Sequence, residues 1–132
     1  MNIGHILDRN DMRVAEVWLD DYKTLFQDYR RLHNFDYGDV EQRRSLRSEL
    51  QCKSFQWFLD EVCRDQYVPP AHAVAGQLSS PDGSLCISND DVAEAPASLK
   101  PCSRHVNQMW LFSNGFIQRA AYLKHELICL VG

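Results

Sequence analysis

Arg64-Asp-Gln-Tyr-Val-Pro-Pro-Ala-His-Ala-Val-Ala75 is the stretch that divides this 132-residue chain. It has no apolar periodicity, and its Pro69-Pro70 pair favours an extended, semi-rigid course, so residues 64–75 read as a linker. On the N-terminal side the pattern is helical. Val14, Val17, Trp18, Tyr22, Leu25 and Tyr29 recur at intervals of three and four, which predicts one buried helical stripe. Asn10 or Asp11 can cap its start, because a short side-chain oxygen accepts from an orphan backbone N–H. The turn residues of Leu32-His-Asn-Phe-Asp-Tyr-Gly38 break the pattern. Asp39 opens a second helix over 40–51, with Gln42 completing a D-x-x-Q variant of the capping box. Ser54 caps a third, short helix that carries Phe55, Phe58, Leu59 and Val62 on one side.

Beyond residue 75 the character changes. Short segments at 76–78, 84–88, 98–102, 109–112, 116–120 and 127–131 alternate with the turn clusters Pro81-Asp-Gly83, Ser88-Asn-Asp-Asp91 and Ser113-Asn-Gly115. Ser-Asn-Gly between apolar segments is a hairpin signal. The expected architecture is a helical half, a linker and a β-rich half, an α+β chain.

Composition narrows the function. With 45% hydrophobic and 24% charged residues the chain is globular rather than collagen-like, low-complexity or disordered. Its longest apolar run, 127–131, falls far short of the ~20 residues that cross a bilayer. Met1-Asn-Ile-Gly-His-Ile-Leu-Asp8 has neither the basic flank nor the apolar core of a signal peptide. A net charge of −4 and a pI near 5.7 give no electrostatic case for nucleic acid. The five cysteines (52, 63, 86, 102 and 129) contain no C-x-x-C, so a zinc ribbon or thioredoxin-type motif is unsupported. Their odd number implies either a redox-active thiol or a partner on a missing segment.

Three blocks then point to a family. Arg9-Asn10 with Arg13-Val-Ala-Glu-Val-Trp-Leu-Asp-Asp-Tyr-Lys23, Gly38-Asp-Val-Glu-Gln-Arg-Arg-Ser-Leu-Arg47, and Leu50-Gln-Cys-Lys-Ser-Phe-Gln-Trp-Phe-Leu59 together resemble the C-terminal end of the catalytic domain of the polypeptide N-acetylgalactosaminyltransferases. Cys86 and Cys102 followed by Asn107-Gln-Met-Trp110, a Q-x-W element, resemble the start of that family's ricin-type β-trefoil lectin domain. The resemblance implies a truncated form: a helical catalytic-domain end at 1–63, the Pro-rich linker at 64–75, and a partial lectin repeat at 76–132. Relatives of this kind are Golgi type II membrane proteins that use manganese to move N-acetylgalactosamine from UDP onto Ser or Thr. With no signal or anchor of its own, a chain expressed as it stands would stay cytosolic.

The resemblance also says what to look for. The family holds manganese, a cation suited to hard oxygen ligands, through an Asp-x-His element and a distant His. No D-x-H or D-x-D occurs here, so no residue is expected to be catalytic or metal-binding, and the chain is expected to be inactive by itself. The alternative is a non-catalytic module that binds glycopeptide or N-acetylgalactosamine through the lectin repeat, or docks on a full-length relative. In that repeat Asn107 is the retained sugar-binding position. Ser88 stands where an Asp would accept two sugar hydroxyls, and Asp90 is the possible substitute. Gln108 and Trp110 are expected to be structural, and Cys86 and Cys102 to form the repeat's disulfide, worth about 3 kcal/mol. Cys129 matches the first cysteine of a next repeat, Cys52 matches a cysteine paired upstream, and Cys63 is an extra thiol. Cys52 and Cys63 are not expected to pair, being about 16 Å apart if the third helix is continuous between them.

Two further features read plainly. Trp18 and Trp57 lie at helical spacing and are expected in the core. Arg43, Arg44 and Arg47, with Glu41 and Glu49 nearby, are expected on a solvated helix face rather than on a phosphate. Two half-size modules also imply marginal stability or aggregation of the isolated chain; a sharp, reversible melt of a monomer, measured by scanning calorimetry, contradicts this.

Overall fold

The stripe from Val14 to Tyr29 is carried by two helices rather than one. In the computed structural model, which describes residues 3–65, 67–89 and 96–119, α1 runs Ile3–Trp18, a 3-10 turn spans Asp20–Tyr22, and α2 runs Lys23–Arg30. The break lies at Asp20, whose φ of 48° is left-handed and incompatible with a continuing right-handed helix. Because α1 begins at Ile3, Asn10 and Asp11 sit inside it and cap nothing. Asp11 instead accepts from Arg30 on α2 at 2.8 Å, beside Asp8 at 2.9 Å. A tertiary partner thus takes the short carboxylate that local pattern assigns to a cap. Arg31, left-handed at φ 55°, closes α2.

α3 spans Glu41–Glu49, starting one residue later and ending two earlier than expected, and its N-cap is Val40, which makes no side-chain cap bond. Asp39 Oδ1 accepts from the Glu41 N–H at 2.8 Å, one residue short of the capping-box bond read with Gln42. α4 spans Phe55–Glu61, and Ser54 Oγ accepts from the Trp57 N–H at 3.1 Å. Met12, Ala15, Val17, Leu19, Leu25, Leu32, Val40 and Phe55 form the buried interior of this helical unit, residues 1–72. Trp18 and Trp57 do not join it: they are 40% and 44% exposed. Val17 and Leu19 take the inward positions at the end of α1, and Phe55, edge-on to Tyr22 at 5.1 Å, takes the inward position on α4.

The loop between α2 and α3 is tied to α1 through its own carbonyls. Arg13 donates to Tyr37 O at 3.1 Å and to Asp39 O at 2.7 Å, and Arg9 donates to Tyr37 O at 3.4 Å. Gly38 between them has φ 73°, and a Cβ there would stand 2.6 Å from Arg9 Nη2.

The second unit, residues 73–132, begins inside the stretch read as a linker. β1 (Val74–Gly76), β4 (Trp110–Ser113) and β5 (Phe116–Arg119) form an antiparallel sheet in the order β1-β4-β5. β2 (Leu85–Ser88) and β3 (Ser98–Pro101) form an antiparallel pair with Cys86 opposite Lys100. The β4–β5 connection is the two-residue loop that Ser-Asn-Gly announces. Ser113 pairs with Phe116, and Asn114 and Gly115 take φ 51° and 79°, the left-handed pair that matches strand twist. The segments expected at 120 and 127–131, and with them Cys129, lie outside the described residues.

Replacing Gly38 by Ala puts a Cβ at a left-handed position against Arg9 and is expected to cost about 1–2 kcal/mol. Urea unfolding followed by helical ellipticity measures it, and an unchanged midpoint contradicts the loop-to-α1 tie.

Candidate functional site

The helical unit has its strongest polar cluster at the α1–α2 break. Asp20 grips Arg47 of α3 bidentately, at 2.7 and 2.9 Å. The same carboxylate accepts from the Phe55 N–H at 2.8 Å, the first residue of α4. Arg47 also donates to Val17 O at 2.5 Å and to Lys53 O at 3.3 Å, and its guanidinium lies 5.4 Å from the Trp18 ring. Charge-assisted, forked pairing of this kind is the strong form of hydrogen bond.

Arg47 therefore corrects the sequence reading: it is largely buried, not part of a solvated face. Arg44 is likewise engaged, with Glu16 at 2.8 Å. Glu16, itself nearly buried, is shared with Lys23 at 3.1 Å. Arg43 is exposed. Hydrogen bonding from Arg47 holds the Asp20 carboxyl below its ordinary 3.8, and Asp20 in turn raises Arg47. Burial raises the Tyr22 hydroxyl, which donates to Gln56 Oε1 at 2.7 Å.

An open groove of about 480 Å³ beside this cluster is lined by Asp20, Tyr22, Arg47, Cys52 and Gln56 among others. The Asp20 carboxylate and Arg47 guanidinium bond each other, and the Tyr22 phenol is taken by Gln56, so these groups do not converge on a ligand. Among the described residues no three carboxylate, imidazole or thiolate groups come together as a metal donor set. Cys52 is exposed and Cys63 buried, both as thiols.

In the β unit the positions read from the Q-x-W element are gathered. Cys86 and Cys102 form a disulfide with Cα atoms 4.9 Å apart. Gln108, 2% exposed, is bonded at both ends. Its Nε2 donates to Pro101 O at 2.9 Å, while Oε1 accepts from the Ser103 N–H at 2.7 Å and from Gln77 Nε2 at 3.1 Å. Trp110 Nε1 donates to Ile87 O at 2.9 Å, which carries β4 onto β2. Asn107 sits in a 3-10 turn, Val106–Gln108, and its carbonyl accepts from the Asn89 N–H at 2.9 Å. The Oδ1 atoms of Asn107 and Asn89 are buried with no donor among the described residues. Ser88 is buried, and Asp90 lies outside the described residues. Sequence reasoning missed Gln77 and Ser103 as partners of Gln108, and it missed the Asp20–Arg47 pair. No local pattern marks either.

Comparison with known proteins settles the family. The chain is 37% identical over 124 residues to polypeptide N-acetylgalactosaminyltransferase 5 of Caenorhabditis elegans, covering 87% of this chain and 20% of that protein. It is 35% identical over 140 residues to putative polypeptide N-acetylgalactosaminyltransferase 9 of Drosophila melanogaster, covering 96% and 20%. This chain belongs to the polypeptide N-acetylgalactosaminyltransferase family. A solved structure of the N-acetylgalactosaminyltransferase GalNAc-T7 with UDP, GalNAc and Mn2+ aligns at a TM-score of 0.51 and 30% identity, over 80% of this chain and 21% of that one. The chain thus spans about a fifth of the length of the two transferases and of the GalNAc-T7 chain. No family model matches the chain.

Both clusters yield predictions. Asp20 titrates lower folded than unfolded, so its contribution is intact above the unfolded carboxyl's range and vanishes as pH falls through the folded value. An acid titration of helical ellipticity should therefore lose its part below pH 3.8 in Asp20→Asn; an unaltered titration contradicts the pairing. Gln108→Ala leaves the Ser103 N–H and Pro101 C=O without their partner and is expected to cost about 2–3 kcal/mol. Trp110→Phe, which loses one bond, is expected to cost about 1 kcal/mol in the same urea experiment.

Proposed function

We propose that this chain supplies the joint between the catalytic and lectin parts of a polypeptide N-acetylgalactosaminyltransferase rather than its chemistry. On this reading residues 1–63 are the helical end of the catalytic domain and 76–132 a partial ricin-type repeat. The whole enzyme transfers N-acetylgalactosamine from UDP to Ser or Thr in the Golgi. The observation that carries the reading is a continuous match across both units to one stretch, about a fifth, of a transferase's length. The disulfide, the buried Gln108 and the bonded Trp110 support the lectin half, since a Q-x-W pair with such bonds is built to hold a repeat together.

Manganese belongs to the whole enzyme on this reading, and GalNAc-T7 was solved with it. The donors present do not fit it. His33 is bonded to Asp28, His105 caps the Val106–Gln108 turn, and Asp11, Glu16 and Asp20 are held by Arg30, Arg44 and Arg47. The chain alone, incubated with Mn2+, UDP-N-acetylgalactosamine and a Ser/Thr peptide, is expected to show no turnover above blank. Sustained peptide glycosylation contradicts the reading.

A second reading, a glycopeptide-binding module, has one observation in its favour. The Oδ1 atoms of Asn107 and Asn89 lack donors among the described residues, and a sugar hydroxyl is one group that would satisfy them. Glycan-array binding of N-acetylgalactosamine peptides that is lost in Asn107→Ala is its expected signature; an array without signal removes it.

A further inference from the structure

We infer that Asn114 is the chain's site of spontaneous deamidation, and that its isoaspartyl product opens the β4–β5 hairpin. The inference stands apart from the joint reading above. Asn114 is the one Asn of this sequence that precedes a Gly; the others precede Ile, Asp, Phe or Gln. In an Asn-Gly pair the Gly nitrogen can reach the Asn side-chain amide, because no Cβ on the second residue blocks the approach. Here the pair makes up the whole loop between Ser113 and Phe116, and both residues are exposed. The Gly115 N–H lies outside the strand ladder and finds no acceptor among the described residues. A Cβ built on Gly115 meets nothing within 4 Å, so the ring that the attack closes has open space around it. β5 is an edge strand of the described sheet, with Phe116 and Ile117 exposed. A short edge hairpin sits at the low end of local stability, so the loop opens and lets the Asn114 backbone rotate into the attacking geometry.

The step balances with water as the only co-reactant. The Gly115 nitrogen, its proton lost to solvent base, bonds to Asn114 Cγ; the Cγ–Nδ2 bond breaks, and ammonia leaves with a proton taken from solvent. Water then opens the succinimide ring. Attack at Cγ restores the main chain and leaves Asp. Attack at the Asn114 main-chain carbonyl leaves isoaspartate, in which the chain runs through the former side chain. That adds a methylene to the backbone of a loop whose length sets its turn type, so the pairs from Ser113–Phe116 to Trp110–Arg119 lose their register. β4 is also the strand whose Trp110 holds Ile87 O.

Asp82-Gly83, the one Asp-Gly step of the sequence, is the internal comparison. Its carboxyl accepts from the Ser80 hydroxyl, the Ser84 N–H and the Ser84 hydroxyl. Those bonds lower it to about 2, so it stays a carboxylate, which is a poor electrophile. The Gly83 N–H is already given to Ser80 O at 2.9 Å. The structure thus protects one such step and leaves the other open.

The test ages the purified chain at physiological temperature in neutral and in mildly alkaline buffer. Peptide mapping by mass spectrometry, with fragmentation that separates isoaspartate from aspartate, follows each Asn and Asp82. Asn114 is expected to convert about tenfold or more faster than any other Asn and than Asp82 isomerises. The rate should be higher in the alkaline buffer, since the attacking nitrogen must lose its proton. Hydrogen exchange on the aged chain should then show lost protection over residues 110–119. Asn114→Gly removes the side-chain amide and keeps a two-residue loop able to take left-handed backbone; aged alongside, it is expected to keep the exchange pattern of its fresh sample. Conversion of Asn114 no faster than that of the other Asn residues overturns the inference, as does isoaspartate at 114 with an exchange pattern equal to the fresh chain's. The same loss of protection in aged Asn114→Gly also overturns it, since the lesion then lies elsewhere.

Discussion

One carboxylate holds the helical unit in its shape. Asp20 adopts a left-handed backbone at the end of α1, a conformation that costs an L-residue roughly 1–2 kcal/mol. Its two oxygens are met by the Arg47 fork and by the first amide of α4. Arg47 then reaches Val17 O at the end of α1 and Lys53 O ahead of α4. The bend at residue 20, the course of α3 and the entry to α4 are thus one constraint. Remove the guanidinium and an Asp in a strained conformation, an α1 carbonyl and an indole face all lose their partner together.

How much of this is legible in the sequence depends on the range of the interaction. Asp39 marked the α3 start only to within a residue, since Val40 takes the cap position. Ser54 was readable as a helix start because a cap bonds an amide three residues on. The Ser113-Asn-Gly115 hairpin was readable for the same reason, as two left-handed residues in succession require it. The α1–α2 break was not. The three-and-four spacing continues through it, and the bonds that hold Asp20 in its left turn come from Arg47 and Phe55, 27 and 35 residues away. The tryptophans failed in a similar way. Helical spacing says which residues share a face, but not whether a neighbouring layer covers that face: Trp18 and Trp57 keep the spacing and are 40% and 44% exposed.

The β unit shows a division of labour inside a short motif. Gln108 is spent on Pro101, Ser103 and Gln77, and Trp110 on Ile87. Trp110's single N–H is taken, and Gln108 is buried with both ends of its amide bonded. The resemblance marked both residues, yet three of their partners are backbone atoms, which no residue pattern encodes. Asn107, beside Gln108, keeps a carboxamide oxygen with no donor among the described residues. Both units read as framework: their charged and amide groups face one another rather than a common cavity.

The central claim is that this chain contributes the joint and not the nucleotide-sugar chemistry of a polypeptide N-acetylgalactosaminyltransferase. Calorimetric titration of UDP with Mn2+ into the purified chain measures it without relying on turnover. The account predicts only heats of dilution. Saturable one-to-one binding of the metal nucleotide would contradict it.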